Sequence, residues 1–350
     1  MKKIINIINR PGEHCVSSAL RDIYEFNGRK FNEEFIFGLD GNMGFNFGYM
    51  KDKQYQLLNI GGKRTLFDGD IFEHTKVRYL VFDSKEFTDK GWAEIQKFLN
   101  NDIPVLIQTD MFYLDYFENP QSHFPGHACI IVGYSDEESL VYLIERKGKV
   151  KRDEKGICRL SIDNLLNAIQ NSRWFVCLNQ IDEEDIPSAI RNAISCLVEY
   201  YEEEIFKNGT FDKFIKEFVR HISEIVYNSD LTMRQKYKIL RKQFLIISYS
   251  IEDVGTGGGL FRGMYSVFLK EVHDRYFKSS NIYVASKYFF QSSVLWTKIA
   301  VMLREETFDI VEGNVISSTF IDELREKLVD CGNMERSAVM ELRKWLEEKN

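Results

Sequence analysis

"NRPGEHCVSSALRDIY", residues 9–24, sets a cysteine behind a Pro-Gly turn and ahead of an apolar helical stripe. Pro11-Gly12 stops the preceding segment, and Ala19, Ile23 and Phe26 then recur at helical spacing. That pattern predicts a helix opening at Cys15. A thiol is a strong nucleophile only as the thiolate. The positive end of a helix and a neighbouring imidazole both favour that form. The local sequence leaves two readings of Cys15: a nucleophile at a helix N-terminus, or a buried thiol in an ordinary first turn.

A second Pro-Gly stands in "FPGHACIIVGYSDEESLVYLIE", residues 124–145. Two β-rich runs flank the polar turn "SDEES" (135–139), which predicts a hairpin opening at His127. The return strand brings Glu145 back beside His127, where a carboxylate would fix the imidazole's tautomer and favour its charged form. Taken singly, each residue also reads as a side chain at a solvated strand end. His123, four positions earlier, is the rival for the base. In "VLIQTDMFY" (105–113), Asp110 ends a strand, where it could anchor an ammonium or lie in solvent. Gln108 could donate to an oxyanion alongside the backbone N–H of Cys15, unless strand alternation buries it. The order Cys15, His127, Glu145, with the first on an N-terminal helix and the others on a sheet, is that of papain-like thiol enzymes.

The chain has 350 residues, which suggests two domains. Hydrophobic residues make up 44% and charged residues 28%, a globular composition. A formal charge of −7 argues against a dedicated nucleic-acid binder, although "KGKVKR" (147–152) and "RQKYKILRK" (234–242) are locally basic. No secretory leader or membrane-spanning run is expected, so the predicted location is the cytoplasm. Six scattered cysteines without a C-x-x-C pair predict free thiols rather than a zinc site or a thioredoxin-like motif; no spacing suggests a metal, and no cofactor is expected. "WAEIQKFLNND" (92–102) reads as a helix that Pro104 separates from the strand "VLIQTD". "RLSIDNLLNAIQ" (159–170) reads as strand into helix, capped by Ser161 or Asp163. From about residue 187 nearly every segment has helical period. The expected architecture is an α+β papain-like domain over 1–182, then an all-helical domain over 183–350. Two glycine-rich stretches read as loops. "FGLDGNMGFNFGY" (37–49) is a plain connection or a lid over an acyl chain. "GTGGGLFRG" (255–263) lacks the Lys-Ser/Thr of a phosphate loop, and its Arg262 either packs under the turn or meets a phosphopantetheine phosphate.

Three blocks, "GEHCVSSALRDIYEFNGRKFNEEFIFGLDGNMGF" (12–45), "PVLIQTDMFYLDYF" (104–117) and "HFPGHACIIVGYSDEESLVYLIE" (123–145), resemble the N-terminal domain of the butirosin biosynthesis protein H family. "GTGGGLFRGMYSVFLKEV" (255–272) and "SSVLWTKIA" (292–300) resemble the helical domain that often follows it. The resemblance implies an acyltransferase of antibiotic biosynthesis that moves an acyl group from a carrier protein to an amine. The acyl group would arrive on the phosphopantetheine of an acyl or peptidyl carrier protein, and a small-molecule amine would accept it. Cys15 would be the nucleophile and His127 the base, with Glu145 where the family commonly shows Asp. Asp110 and Tyr113 match a recurring element of the family and would bind substrate. A cysteine peptidase or thioesterase using water, or a non-catalytic binding module, are the competing expectations.

Overall fold

Seven antiparallel strands form the main sheet of the computed structural model, which describes residues 2–51, 55–65, 69–83, 89–118, 123–146, 149–170, 172–311 and 316–348. The chain divides into two compact units: Met1–Ile36 with Leu66–Ala189, and Phe37–Thr65 with Ile190–Asn350. The first is α+β and the second largely helical.

In the first unit the sheet contains β1 (Lys2–Ile4), β4 (Tyr79–Asp83), β5 (Val105–Thr109), β6 (His127–Ser135), β7 (Leu140–Ile144), β8 (Ile157–Ser161) and β9 (Arg173–Cys177). Its order is β4-β9-β5-β6-β7-β8, with β1 on the far part of β6. The predicted hairpin is β6–β7, with Ile130 opposite Ile144 and Ile131 opposite Leu143. Every residue of β6 is buried, so both faces of the sheet are covered at its centre. Helix α1 (Cys15–Phe26) lies on the face that carries His127 and Glu145, bonded there through Asp22 to Arg146. Helix α3 (Asp70–Thr75) precedes β4, and helix α4 (Asp89–Asn100) touches β6 through Tyr134, whose hydroxyl donates to Asn100 at 3.0 Å. Strand β1 approaches so closely that a Cβ on Gly133 would sit 2.1 Å from the Lys3 carbonyl oxygen. Helix α5 (Ile162–Ala168) is capped by Ser161, whose hydroxyl accepts from Asn164 N–H at 3.1 Å.

In the second unit, residues 37–49 are not a loop. They are the last turn of α2 (Glu33–Asp40) and most of β2 (Met43–Lys51), which pairs with β3 (Gln56–Lys63). Glycines at 44 and 48 hide the strand pattern, and tertiary partners supply what the sequence lacks. Phe45 packs edge-on to Phe211 and Phe214 and stacks on Trp296. Gln243 acts as a one-residue strand: it accepts from Leu58 N–H and donates to Leu58 C=O, both at 2.8 Å. It belongs to α8 (Met233–Glu252), whose first half contains the basic segment 234–242. The other helices of this unit include α6 (Ile186–Tyr200), α7 (Thr210–Tyr227), α9 (Arg262–Val272), α10 (Ser280–Val311) and α11 (Ser318–Glu347). Among the described residues no helix is long and apolar enough to cross a membrane.

Arg262 is completely buried, which removes it from the list of phosphate contacts. Its fork binds Glu335 of α11 through Nε at 2.8 Å and Nη2 at 2.9 Å. The same carboxylate accepts from Tyr201, Ser292 and Trp296. This is a satisfied internal ion pair beneath the glycine turn.

Candidate active site

Helix α1 begins at Cys15, with His14 as its N-cap. The His14 ring accepts from Ser17 N–H at 3.3 Å, and its carbonyl accepts from the Ser18 hydroxyl at 2.7 Å. The turn before it is pinned from two sides. Glu33 accepts from the N–H groups of Glu13 at 3.0 Å and His14 at 2.7 Å. Arg21 donates to the carbonyls of Arg10 at 2.8 Å and Pro11 at 3.0 Å. Glycine is required at position 12, because a Cβ there would fall 2.3 Å from Ser18 Cβ and 2.8 Å from Glu33 Oε2.

His127 lies at the mouth of β6, opposite Thr109. Its Nε2 is 2.6 Å from Glu145 Oε2, and the ring also hydrogen-bonds the Cys15 thiol. With Nε2 turned to the carboxylate, Nδ1 is the nitrogen that remains for sulfur. Phe117 packs edge-on against the imidazole at 5.8 Å. Both His127 and Glu145 are buried. Burial opposes a charge on the ring, but the Glu145 carboxylate and the hydrogen bonds with Cys15 and Glu145 outweigh it, and the His127 pKa is held up at about 10. Cys15, His127 and Glu145 are thus one hydrogen-bonded chain spanning 130 positions of sequence, since residues 15 and 145 are its ends.

The other expected site residues fall differently. His123 pairs with Asp110 at 2.8 Å and stacks on Phe112, so it has a carboxylate of its own, apart from Glu145. Asp110 also accepts from Phe112 N–H at 3.1 Å and Phe124 N–H at 2.9 Å, which caps the short turn Met111–Tyr113. Burial works against ionisation of Asp110, yet the His123 ring and the two N–H donors prevail and lower its pKa. Tyr113 lies in that turn and meets the His123 ring edge-on at 6.3 Å. Gln108 pairs with Ala128, one step out of phase with His127, so its side chain is sent to the opposite face of the sheet. The oxyanion role proposed for it is corrected by that register. Of the other five cysteines, Cys129, Cys158, Cys177 and Cys331 are buried and Cys196 is half-buried. Burial pushes Cys158 up to about 12 and raises Cys129, Cys177 and Cys331 as well.

Nothing local in the sequence singles out Arg146, Arg21, Glu33 or Phe117, which the fold brings to the site together with Asp22. One signal was present: Asp22 is a charge inside the apolar stripe of α1, seven positions after Cys15 and so on the same face. No group of three or more His, Cys, Asp or Glu among the described residues could hold a metal ion.

Two family models match the chain. Residues 14–146 match Butirosin biosynthesis protein H, N-terminal, and residues 165–342 match Domain of unknown function (DUF4872). No curated protein matches.

Proposed function

The chain belongs to the DUF4872 family and carries the butirosin biosynthesis protein H N-terminal domain, and from that premise we propose that it is a cysteine-dependent acyltransferase of antibiotic biosynthesis with a papain-like catalytic unit. The observation that carries this reading is the chain Cys15–His127–Glu145, with His127 and Glu145 buried and the sulfur at the first residue of a helix. The Cys15 thiolate attacks the carbonyl of a carrier-bound thioester. The carrier's pantetheine thiolate leaves and takes the proton from the His127 imidazolium. An amine then attacks the acyl-cysteine. His127 accepts the ammonium proton, the C–S bond breaks, and the amide departs with Cys15 again a thiolate. Glu145 holds the ring's orientation and stabilises its charge. The N–H of Cys15, at the open end of α1, serves the oxyanion.

Two features support the expected partners. The segment 149–151 pairs with 116–118: Lys151 N–H donates to Tyr116 C=O at 2.8 Å and Glu118 N–H to Lys149 C=O at 3.0 Å. Phe117 in that pairing packs on His127, so the basic segment 149–152 sits one strand from the base and suits an acidic carrier protein. Lys147 of the same basic run lies outside the described residues. A cleft of about 400 Å³ beside it is lined by Lys151, Arg152, Arg159, Asp115 and Asp153. An ammonium acceptor reaching Asp110 would take the place of His123, whose side chain is 65% exposed and can leave without opening the core. Tyr113 stands next to that position.

Intact-protein mass spectrometry tests the reading. Wild type mixed with an acyl-loaded carrier protein should gain an acyl mass on Cys15, and an added amine should discharge it as an amide. Discharge only to free acid favours a thioesterase or peptidase. No adduct with any acyl thioester, alongside tight carrier binding, favours the binding module.

A further inference from the structure

Behind the three proposed active-site side chains lies a second layer of buried charge. Asp22 is 0% exposed and Arg146 5%. Asp22 Oδ2 accepts from Arg146 Nε and Oδ1 from Arg21 Nε, each at 2.9 Å. Arg146 is anchored a second time, through Nη1 to the Ile144 carbonyl at 3.1 Å. Its backbone N–H donates to Glu145 Oε1 at 2.8 Å, which leaves Oε2 for His127. Arg21 continues to the Arg10 and Pro11 carbonyls just before Cys15. The bonds therefore close a ring: Cys15, His127, Glu145, Arg146, Asp22, Arg21, and back to the turn that presents Cys15.

Such a layer is costly. Taking each ion out of water costs several kcal/mol, and apolar side chains of the same volume often stabilise a fold as well or better. What apolar groups cannot do is hold a carboxylate at a fixed angle. We propose that Asp22 and Arg146 are positioning residues that fix Glu145 against His127 and tie that pair to the turn presenting Cys15. The proposal rests on the reading of Cys15 and His127 as nucleophile and base, but it concerns how they are held.

The sign of the effect follows from the groups around the ring. His127 faces Cys15 from α1, Glu145 beyond β7 and the neutral Phe117 ring. Cys129, Cys158 and Tyr116, near Glu145, are kept neutral by burial. Behind Glu145 stand Arg146, Arg21 and Arg10 against Asp22. Glu25 pairs with Arg10 and Glu33 stands 3.7 Å from Arg21, but Asp22 is the carboxylate that Arg146 Nε binds, and Asp22→Asn removes it. Arg146 then turns its charge on Glu145, competes with His127 for it and makes the imidazolium less favourable.

The test compares wild type and Asp22→Asn by NMR of ¹⁵N-labelled histidine and by iodoacetamide alkylation. In the variant the His127 titration midpoint should fall by about one pH unit or more, which is about tenfold in the proton equilibrium. Alkylation of Cys15 should slow by about tenfold while that of Cys196 stays as it was. A variant that melts earlier but keeps the wild-type midpoint and the wild-type Cys15 rate would show a merely structural pair and overturn the proposal. If Asp22→Asn does not fold, wild type decides alone. The Arg146 Nε–H resonance should be protected from exchange and should move with the His127 midpoint, and one that exchanges freely or ignores His127 overturns the proposal. Cys15 alkylating no faster than Cys196 in wild type would defeat the nucleophile reading, while the histidine titration still decides the positioning role.

Discussion

His127 and His123 are four positions apart and have different carboxylates, Glu145 at 2.6 Å and Asp110 at 2.8 Å. The proposed mechanism therefore separates them by mutation. His127→Ala should lower acyl transfer by about 10²–10⁴-fold, the usual worth of a general acid–base, and His123→Ala should retain most of it. Glu145→Gln should fall between, because the role proposed for it is orientation; the rate of adduct formation on Cys15 measures all three. Stability should carry a pH signature as well. An unfolded histidine titrates at about 6.5, and His127 in the fold at about 10. The folded state holds the proton more tightly, so the pair stabilises fully below the unfolded value and loses its contribution as pH rises towards the folded one. The melting-temperature advantage of wild type over His127→Gln should be largest near pH 6 and shrink steadily up to about pH 10. An advantage that grows with pH would contradict the ion pair.

At the level of elements, the turn before α1 and the pairing beside β6 carry the site. Gly12 is there for space rather than for dihedral freedom, since a methyl would collide with Ser18 and Glu33. Gly12→Ala should cost about 1–3 kcal/mol, as overpacking commonly does, and should slow Cys15 alkylation, because Glu33 holds the two N–H groups preceding the sulfur. Denaturant titration and the alkylation rate check both. Charge reversal at Lys149, Lys151 and Arg152 should weaken carrier binding and flatten its salt dependence, with the reaction of Cys15 towards small thioesters intact. Unaltered carrier affinity would shift attention to the basic start of α8 at 234–242. The hairpin β6–β7 and the cap of α5 by Ser161 were legible in sequence because strand alternation, a polar turn and a capping serine act within a few residues of one another. The hairpin β2–β3 was not legible. Its glycines suppress the strand pattern, and its partners Gln243 and Trp296 lie far along the chain.

On the scale of the whole molecule, the helical unit takes in residues 37–65 from the first half of the sequence. A chain ending at residue 182 would keep that hairpin and lose Trp296, Phe214 and Gln243, which cover it within its own unit. It should bind a hydrophobic dye and aggregate, and a soluble, dye-silent fragment with a cooperative melt would establish 1–182 as a self-sufficient domain. The buried ion pair in the same unit makes a complementary prediction. Glu335→Ala leaves the Arg262 guanidinium without its carboxylate and should cost about 3–5 kcal/mol by denaturant titration, whereas apolar replacement of both should cost much less.

Local sequence was enough to place helices and strands where period and capping act over a few residues, the break to helical composition near residue 187, and a cysteine presented by a turn at a helix start. It also supplied the candidates His127 and Glu145, because a hairpin's return is set by the length of its own strands. The remaining contacts came from the folded chain. Strand register sent Gln108 to the face away from His127, and proximity gave Asp110 to His123. Arg146 reached Asp22 across 124 positions, and Arg262 reached Glu335 across 73. A charged side chain in a sequence reads as surface, since burial is tolerable only with a partner in place, and it takes the folded chain to bring that partner within hydrogen-bond distance.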